Sequence, residues 1–72
     1  MNDAKKYYEV VVEFLDDEGN VRDFTVIDGG FESYDDALSF AVQQEANKDN
    51  GEQIAIYDSD KDGNVLDSWV IK

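Results

Sequence analysis

The sequence contains no cysteine, no histidine and no proline, and basic residues are scarce. Without cysteine the chain has neither a disulfide framework nor a thiolate nucleophile, which fits the cytoplasm. Without histidine it lacks the commonest general base and the commonest transition-metal ligand. No apolar run approaches the roughly 20 residues that a membrane-spanning helix needs. We therefore expect a cytoplasmic, non-enzymatic protein with no membrane segment.

The charge of the chain is strongly one-sided. Acidic residues number 18 against 6 basic ones, which gives a net charge of −12. Direct binding to nucleic acid or to an anionic membrane is not expected, because it requires lysine or arginine to neutralise phosphates. The charge favours a basic protein or a cation as partner. Solubility, including adaptation to salt, explains the same charge without any partner.

The pattern of apolar residues predicts one α+β domain over residues 1–72. With 42% hydrophobic residues, the chain is too apolar for a disordered acidic tail. Alternation and β-branched content predict strands over 6–15, 21–27, 53–58 and 65–71. A helix is predicted over 34–47, with Ser33 as its N-cap. The ββαββ order predicts a four-stranded antiparallel sheet of two hairpins, with the helix packed on one face.

Two local patterns refine this picture. The apolar stripe of the helix is predicted to comprise Tyr34, Ala37, Leu38, Ala41 and Val42. Asp28-Gly29-Gly30 is expected to break the second strand.

A short internal repeat links the two hairpins. Gly19–Ile27 and Gly63–Ile71 match at Gly, Asn, Val, Asp, Val and Ile. The match indicates hairpins that are built alike and related by pseudo-symmetry. Common Gly-Asn turn chemistry accounts for the same match without any symmetry.

Three stretches carry a resemblance to known families: Ser33–Leu38, Ile54–Tyr57 and Asp62-Gly63. With the order of elements, they resemble small uncharacterised bacterial and phage families. In those families a strand pair leads into a short helix, a hydrophobic strand and an Asp-Gly turn. The resemblance covers most of the chain and supports the fold, and it implies no activity.

The sharpest local motif is acidic. Asp58, Asp60 and Asp62, followed by Gly63, form the D-x-D-x-D-G start of a calcium loop. The twelfth position is Trp69 and not the bidentate glutamate, so any calcium site is weak. The alternative is an acidic hairpin turn whose aspartates accept hydrogen bonds from their own backbone. No other cofactor is expected.

The uncovered face of the sheet is the other candidate site. Strict alternation assigns these residues to the helix side: Val10, Val12, Phe14, Phe24, Val26, Ile54, Ile56, Leu66 and Val70. It leaves aromatic and β-branched residues between carboxylates on the outward side. From that set we single out Tyr7, Val11, Tyr57, Trp69 and Ile71 as a partner-binding surface. Cross-strand aromatic pairs that stabilise a small sheet without a partner are the alternative.

These patterns favour a small acidic module for protein interaction. Its partner is another protein, preferably basic, or a second copy in a homodimer that uses the outward face. One alternative is an acidic nucleic-acid mimic of the phage type, which inhibits a DNA-binding protein. A weak calcium-binding module is the other alternative.

Overall fold

The computed structural model describes residues 7–60 and 62–71. Its elements are β1 (Tyr7–Leu15), β2 (Val21–Phe31), α1 (Tyr34–Ala46), β3 (Glu52–Ser59) and β4 (Val65–Val70). The strands form one antiparallel sheet in the order β2-β1-β3-β4. The predicted ββαββ order and α+β fold class are confirmed.

A side chain caps each end of α1. The Ser33 hydroxyl accepts a hydrogen bond from the backbone N–H of Asp36 at 3.1 Å, as the sequence predicted. This bond satisfies one of the free N–H groups of the first turn. At the other end the side chain of Asn47 donates to the carbonyl of Gln43 at 2.9 Å. The helix therefore stops before the connection to β3.

The core lies between α1 and the two central strands. It consists of Val10 from β1, Ile54 and Ile56 from β3, and Ala37 and Ala41 from α1. The two alanines allow the helix backbone to approach the sheet closely. Larger residues pack around this centre: Tyr8, Val12, Phe31, Tyr34, Leu38, Phe40 and Ile71.

One residue of the predicted helix stripe is misplaced. Val42 is 53% exposed, whereas Phe40 packs on the β2 side, with its ring 5.7 Å from that of Phe31. The stripe is centred on Ala37 and Ala41, so Val42 points away from the sheet. The unpredicted contact depends on Phe31, which the sequence pattern left outside the second strand.

Strand β2 runs through Asp28-Gly29-Gly30 to Phe31, so the predicted break after Ile27 is wrong. Pairing continues, with Asp28 opposite Val10 and Phe31 opposite Tyr8, across shifts in register. Gly30 has a φ of +77°, which suits glycine, and such bulges bend a strand without ending it.

The turn between β1 and β2 is organised by one aspartate. Asp16 Oδ1 accepts hydrogen bonds from the backbone N–H groups of Glu18 and Asn20, both at 2.9 Å. The Asp16 N–H donates to the Asn20 carbonyl at 2.8 Å. Gly19 has a φ of +84°, which glycine adopts without strain.

Both hairpins carry a one-residue bulge just after the turn. In the first hairpin Leu15 is opposite Val21 and Phe14 is opposite Asp23, which leaves Arg22 as the extra residue. The second hairpin has the same shift, with Ser59 opposite Val65 and Asp58 opposite Asp67. The two hairpins are therefore built alike, as the repeat indicated.

The bulges reverse the faces that alternation predicted for the two edge strands. A one-residue shift moves the side chains that follow it to the other side of the sheet, up to the next shift. Phe24, Val26 and Val70 therefore lie on the face away from the helix, and the prediction that they enter the core is wrong. The central strands β1 and β3 keep the predicted faces.

Candidate interaction face

The face of the sheet opposite α1, here called the open face, has no other element across it within the described ranges 7–60 and 62–71. Residues that are opposite in the register share a face. The open face carries Tyr7, Glu9, Val11, Glu13, Phe24, Val26, Gln53, Ala55, Tyr57, Ser59, Ser68 and Val70.

The middle of the open face is covered by a side chain of its own. Val11 and Ala55 are fully buried although no helix lies over them. Tyr57 is opposite Glu9, four residues along β1 from Glu13. Its hydroxyl nevertheless donates to Glu13 Oε2 at 2.5 Å. The Tyr57 ring must therefore lie along the sheet, over Val11 and Ala55.

Glu13 is the anchor of this arrangement. Only 8% of the residue is exposed, and its Oε1 accepts a hydrogen bond from Gln53 Nε2 at 2.7 Å. Burial, and then the hydrogen bond and charge of Glu13, raise the pKa of Tyr57 far above its ordinary value of 10.0. No basic side chain contacts Glu13 among the residues that the structure describes.

Glu9 is a second carboxylate on the same face. Its Oε1 accepts a hydrogen bond from the Ser59 hydroxyl at 3.1 Å. Its side chain lies against Gly29 of β2, where an added Cβ would come within 3.3 Å of Glu9 Cγ. Glycine at this position leaves the space that Glu9 occupies. Glu9 and Glu13 are four residues apart on one strand, which corresponds to about 13 Å.

The outer parts of the open face are apolar and accessible. Phe24 is 50% exposed and Val26 is 42% exposed on the β2 side, while Val70 is 40% exposed on the β4 side. The Phe24 ring lies 5.7 Å from the Tyr57 ring, centroid to centroid. The accessible surface of the face is thus an apolar rim on both sides of a hydrogen-bonded acidic centre.

The structure brings together only part of the predicted partner-binding set. Tyr7 and Tyr57 lie half-buried on the open face. Val11 is on this face too, but it is buried and offers no contact surface. Trp69 and Ile71 are on the helix side, so the prediction that they join the other three is wrong.

Trp69 belongs to an aromatic cluster beside the helix. It is opposite Ile56 of the core, because the bulge in β4 reverses its face. Its ring is 5.3 Å from that of Tyr34 and 6.4 Å from that of Tyr8. The cluster closes the β4 side of the core and explains a large apolar residue on an edge strand.

Sequence reasoning missed Phe24, Val26 and Val70 as surface residues. The repeat was a signal that the two hairpins are alike, but it did not indicate a bulge in either of them. A bulge leaves no mark in composition, however, so alternation alone placed these residues on the wrong face.

The turn between β3 and β4 repeats the first turn, with Asp60 in place of Asp16. Asp60 Oδ1 accepts from the backbone N–H groups of Asp62 and Asn64, both at 2.9 Å. Asp60 Oδ2 accepts from the Asn64 side chain at 3.2 Å. These bonds, led by those from Asn64, lower the pKa of Asp60. Gly63 has a φ of +86°.

Two of the three predicted calcium ligands therefore have other contacts in the structure. Asp58 is buried in β3, on the helix side opposite Tyr8, while Asp60 accepts hydrogen bonds from its own turn. Among the described residues, no group of three acidic side chains is placed to hold a metal ion. Weak calcium binding by Asp58, Asp60 and Asp62 stays a prediction.

Comparison with protein-family models, with curated proteins and with solved structures finds no match. The resemblance to uncharacterised bacterial and phage families therefore stays a prediction. Within the described part of the chain, α1 is too short and too polar to cross a membrane.

Proposed function

We propose that the chain is a non-enzymatic module that binds a basic protein segment on its open face. The observation that carries this proposal is the combination of the apolar rim with Glu9 and Glu13, which no basic side chain of the described residues contacts. A cation beside a buried carboxylate forms charge-assisted hydrogen bonds, and an arginine from a partner would supply that cation.

The chemistry of the face specifies the partner further. Exposed aromatic and β-branched residues suit the apolar side chains of a partner, and aromatic residues are frequent anchors in interfaces. An arginine beside Phe24 or Tyr57 gains a cation–π contact in addition to its ion pair. We therefore expect a segment in which basic and apolar residues alternate. Homodimerisation through this face is disfavoured, because it would bring the Glu9 and Glu13 carboxylates of both copies together.

The test uses a synthetic extended peptide in which arginine alternates with valine, and a second peptide with glutamate in place of arginine. Binding is followed by the amide shifts of the protein in an NMR titration. We expect saturable shifts on the open face with the arginine peptide and none with the glutamate peptide. Substitution of Phe24 by serine should weaken binding about tenfold, the size expected for an interface anchor.

A matched control separates the face from general apolar exposure. Val42 is 53% exposed on the helix, so Val42→Ser removes a similar exposed residue from the other side of the molecule. This variant should bind like the wild type. Equal weakening by Phe24→Ser and Val42→Ser, or shifts confined to the helix side, would contradict the proposal.

A second pair of variants distinguishes the nucleic-acid mimic. Glu9→Gln removes a charge from the open face, whereas Glu18→Gln removes one from the exposed turn. A mimic that depends on total charge would lose affinity for the arginine peptide equally in both variants. Its affinity would not change in Phe24→Ser. The proposed module should lose affinity in Glu9→Gln only.

A further inference from the structure

The two edge strands, β2 and β4, present apolar side chains and free backbone edges to solvent. Among residues 7–60 and 62–71, each pairs with one neighbouring strand. Their exposed large residues are Val21, Phe24, Val26 and Ile27 on β2, and Val65, Leu66, Trp69 and Val70 on β4. Edge strands of this kind are templates for pairing with a further strand. The chain therefore needs a device that keeps its edges from pairing.

The backbone direction of β4 identifies the groups that matter. In an antiparallel pair, alternate residues point their N–H and C=O groups toward the neighbouring strand. The Ile71 N–H donates to the Ile54 carbonyl at 2.8 Å, so the backbone groups of Ile71 point toward β3. Because the direction alternates from residue to residue, those of Asp67, four residues earlier, also point toward β3. The N–H groups of Ser68 and Val70 consequently point away from the sheet.

At three places on the edge strands an aspartate accepts a hydrogen bond from the N–H of the next residue. On β4 the Ser68 N–H donates to Asp67 Oδ1 at 2.9 Å. On β2 the Phe24 N–H donates to Asp23 Oδ1 at 2.8 Å, and the Gly29 N–H donates to Asp28 Oδ1 at 2.9 Å. A strand that adds to either edge must displace these carboxylates, and it must also approach their negative charge.

The positions of Asp23 and Asp67 are equivalent in the two hairpins. Each follows the extra residue of the bulge, and each is the aspartate that matches in the internal repeat. The same hydrogen bond thus recurs at the same step of both edges. This recurrence ties the aspartates to the edge and not to any contact particular to one hairpin.

We propose that Asp23, Asp28 and Asp67 close both edges of the sheet to strand addition, and that without the Asp67 cap β4 pairs antiparallel with β4 of a second copy. Strand β4 is the more vulnerable edge, because it has one such cap and β2 has two. A second copy is the fitting occupant, because antiparallel self-pairing sets the outward groups and exposed apolar residues of two identical strands against each other. This proposal does not depend on the proposed function of the open face.

The test compares Asp67→Ala with Asp67→Asn by sedimentation velocity over a wide range of protein concentrations. Alanine removes the acceptor, whereas asparagine keeps an acceptor oxygen at the same position and removes only the charge. We expect a monomer for the wild type and for Asp67→Asn. Asp67→Ala should dimerise, with a dissociation constant at least on the order of tenfold lower than that of any dimer the wild type forms.

Asp62→Ala is the charge control, because it removes the same charge from an exposed turn residue whose carboxylate caps no N–H group of the described residues. It should remain monomeric. Dimerisation of Asp62→Ala or Asp67→Asn to the extent of Asp67→Ala would overturn the proposal, since charge alone would then hold the edges apart. So would an Asp67→Ala variant that is monomeric at every concentration.

Amide hydrogen exchange provides a readout in the wild type that does not depend on how the variants fold. The Ser68 and Val70 N–H groups both point outward on β4, but only that of Ser68 donates to an aspartate. We expect the Ser68 amide to exchange several-fold more slowly than the Val70 amide. Equal exchange at the two positions would show that the cap does not form and would overturn the proposal.

Discussion

The two hairpins share one backbone plan and use it for different purposes. Each has an aspartate-organised turn, a bulge after the turn and an aspartate cap on the edge strand. Equivalent positions differ in their side chains, and Phe24 of the first hairpin corresponds to Ser68 of the second. Similarly, Thr25 corresponds to Trp69. The first hairpin therefore sends its aromatic residue to the open face, and the second sends its own to the core.

The contact that joins the hairpins is itself between equivalent positions. Glu13 lies opposite Phe24, and Tyr57 lies opposite Ser68 at the same step of the second hairpin. The hydrogen bond from Tyr57 to Glu13 thus spans the approximate two-fold relation of the sheet. A symmetric backbone thus supports an asymmetric polar pair. In this pair Tyr57 covers the centre of the open face and Glu13 provides its negative charge.

The largest expected effect on stability concerns the core, to which the two hairpins contribute unequal amounts of buried apolar area. Ile56 is fully buried, whereas its equivalent Val12 is only partly buried. Ile56→Ala should lower the free energy of unfolding by about 2 to 5 kcal/mol, because it leaves a cavity under α1. Val12→Ala should cost about 1 to 2 kcal/mol from the smaller apolar area that it uncovers. Urea unfolding of both variants checks the order, and equal losses would contradict it.

The next effect breaks the contact between the hairpins. Tyr57→Phe keeps the ring over Val11 but removes the hydrogen bond to Glu13. Hydrogen bonds to charged groups contribute about 1.5 to 3 kcal/mol, so we expect a loss of stability within that range. Urea unfolding at neutral pH measures it. A variant as stable as the wild type would show that the hydroxyl contributes nothing to the cover.

The same contact predicts a dependence of stability on alkaline pH. The pKa of Tyr57 is raised in the folded state, so the folded protein favours the protonated phenol. The resulting stabilisation is complete below the ordinary pKa of 10.0 and is lost as the pH rises above it. Absorbance titration should show that the Tyr57 phenol ionises well above its ordinary pKa of 10.0. That late phase should be absent in Tyr57→Phe and shifted toward lower pH in Glu13→Gln.

A smaller effect tests whether the two turns are equivalent in energy as well as in geometry. Asp16→Ala removes an acceptor for two N–H groups at the surface and should cost about 1 kcal/mol. Asp60→Ala should change stability in the same direction. Because the pKa of Asp60 is lowered in the fold, its contribution is present above the ordinary value of 3.8 and is lost as the pH falls through the folded pKa. Acid unfolding of Asp60→Asn should lack this component.

The sequence predicted the parts of this fold that local chemistry controls. Turn residues, the Ser33 cap and the alternation of β1 and β3 all follow from side chains within a few positions. The edge strands did not follow, because a bulge at Arg22 or Leu66 changes the face of the residues that come directly after it. The helix lies mainly over the central strands and touches the edge strands through Phe31 and Trp69, so burial constrains the apolar face of an edge strand at few positions.

The open face was predictable in kind but not in detail. Alternation correctly placed Tyr7, Val11 and Tyr57 on it. It could not show that Tyr57 covers Val11, because that depends on a hydrogen bond to Glu13 across 44 positions of the chain. Nor could it show that Trp69 joins Tyr8 and Tyr34, since the reversal of β4 decides that contact.

The smallest expected effect is the response to calcium, which compares the second turn with the first. In both turns an aspartate accepts from two backbone N–H groups, although only the second turn has the D-x-D-x-D-G spacing. In the second turn Asp60 already accepts hydrogen bonds from backbone N–H groups, and a calcium ion would have to displace these bonds. Asp58 is buried within β3 and would have to leave the strand to reach the same ion. An NMR titration should therefore give only small, unsaturated amide shifts at both turns below millimolar calcium. Saturation at Asp60 and Asp62 without a matching change at Asp16 would instead establish a calcium site and separate the two hairpins in function.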